Sequence, residues 1–312
     1  MNIHFWGVRG SLAAPLTPQQ VRAKISAAIQ RIQVKDVASE DAKERFIASL
    51  PAWIYGTAGG NTACLEVTTA DGRKIILDAG TGIRVMGKYG EPPENHTYNI
   101  LFSHFHWDHI QGLPFFEPLY VKDTVLNIFS PFKDMHSYLV KQMEAPYYPV
   151  PMESCTKNIN YTVIDELKPF NIGSAEVRAI KMSHPGGSYA YSLVENGHKF
   201  IYATDVELNH PDFVRTKEHD EFFSNADILV IDSQYTVEEA YTKQGWGHSA
   251  FCYAIDFAVA WKVKKLFLFH HDPMYDDRKL NSILQSANWY ADYSARNAVK
   301  VELATEGLEL KL

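Results

Sequence analysis

The sequence predicts an α/β protein in which sheet layers are covered by helices. Three observations carry this. Short runs of β-branched and aromatic residues bounded by Gly, Asp and Asn recur along the chain, many of them in hairpin-like pairs, and single helical periodicities interrupt them. The chain has 312 residues, of which 46% are hydrophobic and 21% charged, so it can bury a sizeable core and is not disordered in the main. Length alone suits either two domains or one layered domain carrying an insertion.

In chain order, strands are expected near Asn2 to Trp6, Thr62 to Thr69, Arg73 to Leu77, Tyr98 to Phe102 and Val125 to Ser130. Further strands follow near Tyr161 to Ile164, Ala175 to Met182, Tyr189 to Glu195, His198 to Ala203, Ile228 to Ile231, Lys265 to Phe269 and Val301 to Leu303. Helical spacing covers about Pro18 to Gln33, Glu40 to Leu50, Lys133 to Met143, Ser249 to Trp261 and Asp276 to Tyr293. The stretch from Leu12 to Tyr55 differs from its surroundings, since two polar helices there carry mixed charge, including Arg22, Lys24, Arg31, Asp41 and Arg45. It is expected to be an insertion within a single domain spanning 1–312: a solvated helical hairpin, a lid or a dimerisation arm.

Thirty Lys and Arg stand against 37 Asp and Glu, a formal charge of −7. That is the wrong sign for a protein that tracks nucleic acid electrostatically, and no Lys/Arg cluster marks a local basic groove. The start, MNIHFWGVRG, lacks the apolar run of a signal peptide, and no segment approaches the roughly 20 apolar residues of a membrane helix. A cytoplasmic protein without membrane contact is expected. Cys64, Cys155 and Cys252 are odd in number and widely spaced, which suits reduced, buried side chains.

The chemistry concentrates in Ser103 to His109, SHFHWDH, directly after the apolar Ile100-Leu101-Phe102. His104, His106, Asp108 and His109 are ligand types suited to Zn(II), Mn(II) or Fe(II), and a loop at a strand end can aim alternate side chains at two adjacent ions. A binuclear site needs more ligands. His184, Asp205 and His270 each follow a predicted strand, so convergent strand ends would bring them to one pocket.

In these motifs the chain resembles the metallo-β-lactamase fold superfamily over nearly its whole length outside the Leu12 to Tyr55 stretch. The resemblance implies a four-layer αββα sandwich with an N-terminal helical insertion and two divalent metal ions. One ion would be held by His104, His106 and His184, the other by Asp108, His109 and His270, with Asp205 bridging. Asp78, in Leu77-Asp78-Ala79-Gly80-Thr81-Gly82, would hold the metal loop from behind. His270 is preferred to its neighbour His271 because it follows the strand directly.

His106 stands where the diiron flavoprotein branch has Glu, which favours hydrolysis over redox chemistry, and Asp205 stands where true zinc β-lactamases have Cys. Gly247-His248-Ser249, before the apolar helix, resembles the general-acid segment of the phosphodiesterase branch, which holds transfer-RNA 3′-processing endonucleases and bacterial cyclic-nucleotide phosphodiesterases. A helix N-terminus there would disfavour a charged imidazolium and favour a phosphate. Phe5-Trp6-Gly7-Val8-Arg9-Gly10-Ser11, Gly59-Gly60-Asn61-Thr62, His184-Pro185-Gly186-Gly187, Asp232-Ser233-Gln234-Tyr235-Thr236 and Phe269-His270-His271-Asp272-Pro273 are similar to the cyclic-nucleotide group. No Gly/Pro-rich basic arm of the endonuclease kind is present.

The expected activity is therefore binuclear metal-dependent hydrolysis of a small phosphodiester, foremost a 3′,5′-cyclic nucleotide. A hydroxide between the ions would attack, and His248 would protonate the leaving oxygen. Asp108 and His248 are the catalytic candidates, with Zn(II) the first choice of metal. Asn61, Gly186 and Gly187 are candidate substrate contacts, and aromatics such as Trp107, Phe115, Tyr147 and Trp246 lie near the motif loops for stacking on a base. No large nucleic acid partner is expected; a homodimer suits the resemblance. The alternatives are a thioester or lactone hydrolase on the same metals, a transfer-RNA 3′-processing endonuclease, and a non-catalytic nucleotide sensor.

Overall fold

Alternation along strands sets the layers. In the strand Lys265–Phe269, Leu266 and Leu268 enter one hydrophobic core while Phe267 and Phe269 enter another, because successive side chains point to opposite faces. The computed structural model describes residues 1–296 and 298–312. The first sheet is built from β1 (Asn2–Gly7), β2 (Cys64–Thr68), β3 (Lys74–Leu77), β4 (Thr97–Leu101), β5 (Val125–Ser130) and β6 (Ile159–Val163). The second is built from β7 (Phe170–Ile172), β8 (Ala175–Met182), β9 (Ser188–Glu195), β10 (His198–Ala203), β11 (Ile228–Asp232), β12 (Lys265–Phe269) and β13 (Lys300–Leu303). The chain then returns to the first sheet as β14 (Glu309–Lys311), giving orders β14-β1-β2-β3-β4-β5-β6 and β13-β12-β11-β10-β9-β8-β7.

Both sheets are mixed: β1 to β3 and β7 to β10 pair antiparallel, whereas β3 to β6 and β10 to β13 pair parallel. Between them Phe5, Leu65, Val67 and Leu77 meet Val177, Tyr191, Phe200 and Phe267. The helices Gly82–Tyr89 and Met135–Gln142 cover the far face of the first sheet through Ile83, Met86, Met135 and Leu139. Lys217–Phe223, Phe251–Ala260 and Asp277–Ala295 cover the second through Phe223, Phe257 and Leu280. The result is a four-layer αββα sandwich. Each large apolar side chain buried in it contributes about 1.5–3 kcal/mol relative to exposure.

Residues 12–55 are helical, with helices at Pro18–Ile29, Glu40–Ser49 and Ala52–Tyr55. The segment leaves and rejoins the sandwich side by side, since the Ala14 amide donates to the Gly60 carbonyl (2.8 Å). Its anchor is Lys24, whose ammonium lies 2.6 Å from Asp277 Oδ2 and donates to the carbonyls of Trp53 and Gly56. The first helix is shorter than its apolar periodicity predicts: Ile25, Ile29 and Ile32 are exposed, and without tertiary packing a helix end is not sustained.

Sequence periodicity does not mark the three-residue edge strands β7 and β14, nor the short helices Gly82–Tyr89, Lys217–Phe223 and Val237–Thr242. All three cysteines are buried and free. Among the described residues no helix is long and apolar enough to cross a membrane.

Candidate metal centre and active site

Each candidate ligand leaves the sandwich just past a strand end. The loop after β4 carries His104, His106, Asp108 and His109; His184 lies two residues past β8, Asp205 two past β10, and His270 directly follows β12. Because β10, β11 and β12 run parallel, their carboxyl ends share one edge. Asp78, Asp205 and His270 turn the chain there with φ of 61°, 48° and 61°, a left-handed conformation that costs a non-glycine residue of order 1–3 kcal/mol.

Among the described residues three overlapping donor groups result; the third joins Asp205 and His270 to Asp232 and His248, and the other two hold the candidate ligands. His104, His106, His184 and Asp205 form one, Asp108, His109, Asp205 and His270 the other, with the donor atoms of each group within 4.8 Å of one another. Asp205 divides its oxygens between them. Its Oδ2 lies 3.6 Å from His104 Nε2 and 3.9 Å from His184 Nε2, whereas Oδ1 lies 3.0 Å from His109 Nε2 and 3.1 Å from His270 Nε2. Asp108 Oδ2 completes the second group, 3.1 Å from His270 Nε2.

The chemistry of these donors fits two divalent ions. His104 Nε2 is buried without a hydrogen-bond partner, an arrangement that costs free energy unless something binds there. Burial lowers the pKa of His104, His106 and His184, so their nitrogens present lone pairs near neutral pH. Burial opposes the charge on Asp108 and Asp205, but the facing imidazoles, His109 foremost, hold both well below the usual carboxylate range. His109 is raised instead, burial being outweighed by Asp205, Asp108 and Asp78; three carboxylates call for positive charge at that point.

Outer contacts fix which nitrogen faces inward. His184 Nδ1 donates to the Gly247 carbonyl (2.8 Å), leaving Nε2 for the cluster, and His109 Nδ1 is held by Asp78 Oδ2 (2.8 Å). Asp78 is itself buried and accepts from the Ser103 amide, the Ser103 hydroxyl and the Tyr202 hydroxyl. His270 Nδ1 faces Gln234 Oε1 at 3.1 Å, and the Ser11 amide donates to Asp108 Oδ2 at 2.7 Å. Two glycines make room: a Cβ on Gly10 would lie 2.4 Å from His270 Nδ1, and one on Gly247, whose φ is 91°, would lie 2.3 Å from His184 Nδ1.

His248 borders both groups. Its ring stacks on His270 at 5.0 Å, and its Nδ1 lies 2.6 Å from Asp232 Oδ2. Asp232, the last residue of β11, is buried and accepts from the amides of Gln234 and Ser249 through Oδ1. Here the structure corrects the expectation of a helix starting at Ser249. The helix begins at Phe251, because Ala250 is extended (φ −77°, ψ 149°) and bridges to Tyr235, whose amide donates to the Ser249 carbonyl that a helical turn would have used. The helix terminus therefore does not govern His248. Burial works against its charge, but Asp232 outweighs burial and pushes the pKa up to about 9. Glu207 fastens the same loop by accepting from the amides of Gly245 and Gly247.

The model of the β-lactamase superfamily domain matches residues 73–271, more than half of the chain. The chain belongs to this superfamily. Among curated proteins it is similar to ribonuclease Z of Picrophilus torridus, 25% identical over 262 residues, covering 68% of this chain and 80% of that one. Among solved structures it is similar to the metallo-β-lactamase fold protein YhfI of Bacillus subtilis, with TM-score 0.66, 16% identity and coverage of 99% and 98%. Yeast PDE1 also superposes, with TM-score 0.63, 13% identity and coverage of 100% and 99%.

Within this superfamily chain, the two donor groups gather all seven of the residues proposed from sequence as ligands. His271 points elsewhere: its Nε2 is engaged with the Ala304 carbonyl (2.8 Å), and burial pushes its pKa down to about 3. Gly186 and Gly187 line a cavity together with His104 and His106. Asn61 does not join them: its side-chain Nδ2 donates to Glu306 Oε2, and its backbone carbonyl accepts from the amides of Val8 and Arg9, which ties it to the loop scaffold. Ser11, Asp232, Gln234 and Glu207 also shape the site, and none of them stands out in the sequence as doing so. Three of the four sit in the stretches Phe5 to Ser11 and Asp232 to Thr236, where resemblance was visible but nothing in the residue types assigned a role.

Proposed function

We propose that the protein is a binuclear metal-dependent phosphodiesterase acting on a small phosphodiester, foremost a 3′,5′-cyclic nucleotide. The observation that carries this reading is the Asp232–His248 pair, 2.6 Å apart, beside the two donor groups. Thioester or lactone hydrolysis on the same metals needs no such acid. His104, His106 and His184 would hold one ion, Asp108, His109 and His270 the other, and Asp205 both. Zn(II) comes first, with Mn(II) or Fe(II) as alternatives; bound there, two dications would supply an activated water and neutralise charge developing on the phosphoryl oxygens.

The chain's own part follows from its geometry. Asp232 occupies His248 Nδ1 and stabilises the imidazolium, which leaves Nε2 to give its proton to the leaving ribose oxygen. Asp108 is oriented by the Ser11 amide through Oδ2 and would accept the proton of the attacking water. The positive φ of Gly186 and Gly187, 80° and 87°, keeps side chains out of the approach to His106.

The test is His248→Ala. Turnover of a phosphodiester with a poor leaving group should fall by about 10²–10⁴-fold with metal content unchanged, and an activated aryl ester should lose much less. Equal turnover of wild type and variant on both would remove His248 from the reaction. A second reading, transfer-RNA 3′ processing, is favoured by the likeness to ribonuclease Z and disfavoured by the formal charge of −7. Transfer-RNA precursors in the same assay separate the two.

A further inference from the structure

We infer that the cavity opening from His104 and His106 is a nucleobase subsite, in which a planar base attached to the scissile phosphodiester stacks on a fixed aromatic wall. The inference rests on the phosphodiesterase reading and deepens it by assigning the base of that substrate to one cavity and to named side chains.

The cavity has a volume of about 770 Å³, within the range of small-molecule sites. One end is the metal-ligand loop. The rest is bounded by Phe105, Trp107, Phe132, Tyr138 and Tyr147, far more apolar surface than a phosphodiester requires, since its charge is served by the donor groups at the other end. The wall therefore recognises the group that the phosphate bears.

That wall is pre-organised. The Phe105 ring meets Phe132 edge-on at 5.6 Å and Tyr138 at 5.2 Å, and Phe132 in turn meets Tyr189 edge-on at 5.5 Å. Rings locked by their neighbours lose little freedom when a ligand docks. At the mouth, Trp107 and Tyr147 are 83% and 82% exposed. Both are cavity-lining aromatics left open to solvent, and Trp107 directly follows the ligand His106.

Ring faces, not hydrogen bonds, carry the recognition: the Gln111 and Gln142 side-chain nitrogens in the lining already donate to Thr62 Oγ1 and to the Ile110 carbonyl, which leaves the Lys141 ammonium as the charged group on that wall. The backbone keeps the passage from metals to wall open: a Cβ on Gly186 would lie 3.9 Å from His106 Nε2, and one on Gly187 would lie 3.5 Å from the Phe132 ring. A flat group can thus lie between the wall and the metal loop while its phosphate remains at the donor groups.

Binding of 2-aminopurine riboside 5′-monophosphate to the metal-loaded protein, followed by fluorescence, tests this without turnover. Stacking quenches the probe, so saturable quenching is expected, and adenosine 5′-monophosphate should displace the probe at concentrations about tenfold or more below those of ribose 5-phosphate. Phe132→Leu, which keeps the volume apolar but removes the ring, and Trp107→Ala, at an exposed position, should each weaken probe binding by about tenfold. Equal competition by ribose 5-phosphate, or unchanged affinity in both variants, would overturn the subsite. If the base binds but no phosphodiester is cleaved, the subsite stands and the activity fails. If diesters are cleaved with no preference for a base, the reverse holds.

Discussion

Asp232 Oδ2 lies 2.6 Å from His248 Nδ1, and the same carboxylate lies 3.6 Å from His270 Nδ1. One buried residue at the end of β11 thus braces the proposed general acid and approaches a proposed metal ligand. Asp232→Asn keeps the shape but withdraws the charge that favours the imidazolium. Turnover on a ribose leaving group should fall by about 10–100-fold, with a smaller loss on an aryl leaving group. Steady-state kinetics with both substrates checks this, and an equal loss on both would assign Asp232 to the metals instead of the acid.

Two glycines allow the metal positions to be disturbed separately. A Cβ on Gly10 collides with the His270 ring and one on Gly247 with His184. Gly10→Ala should lower occupancy of the position formed with Asp108 and His109, and Gly247→Ala that formed with His104 and His106. Each variant should carry closer to one ion than two by elemental analysis, and the two together should lose both. Two ions retained in either single variant would show that the loops yield at less cost than the contact distances imply.

Asp78 supports the cluster from behind without entering it. It faces His109 Nδ1 and accepts three further hydrogen bonds from Ser103 and Tyr202. Asp78→Ala should weaken metal binding by about 10–100-fold, measured by competition with a chelator. Thermal stability should fall as well, because buried donors are left unpaired at about 1–3 kcal/mol each.

Much of this was legible in the sequence. Ser103 to His109 announced its chemistry because alternating histidines after an apolar run have few other uses, and strands such as Val125–Ser130 and Lys265–Phe269 match their apolar patterns end for end. What stayed hidden depends on contacts distant in sequence. Nothing local says that Asp232 will meet a histidine 16 residues later, or that Ser11 will use its backbone, not its hydroxyl, to hold Asp108. The helix starts two residues past Ser249 because Ser249 and Ala250 are tied to Tyr235 with Ala250 extended, a contact that no local pattern announces. Asn61 looked like a ligand contact beside two glycines, but the partner that claims its amide nitrogen is Glu306, 245 residues away.

A buried ion pair ties the helical segment 12–55 to the sandwich. The Lys24 and Asp277 side chains are 13% and 3% exposed, and the pair is 2.6 Å apart. Lys24→Met would leave the Asp277 carboxylate buried without its cation, which costs about 3–5 kcal/mol when a buried pair is broken. Hydrogen exchange should accelerate first in Pro18–Ile29 and Ala52–Tyr55, with the β-sheets still protected. Uniform acceleration across the protein would show that the segment is integral to the sandwich and not anchored at one point.

On this reading the metal centre cleaves a small phosphodiester. Turnover of purine and pyrimidine 3′,5′-cyclic mononucleotides, cyclic dinucleotides, a transfer-RNA precursor and a thioester, with metal content quantified in the same preparation, tests it most directly. Two ions per chain and hydrolysis of at least one cyclic nucleotide are expected. A protein that carries two ions and hydrolyses only the thioester would contradict this reading, as would one that cuts only the transfer-RNA precursor.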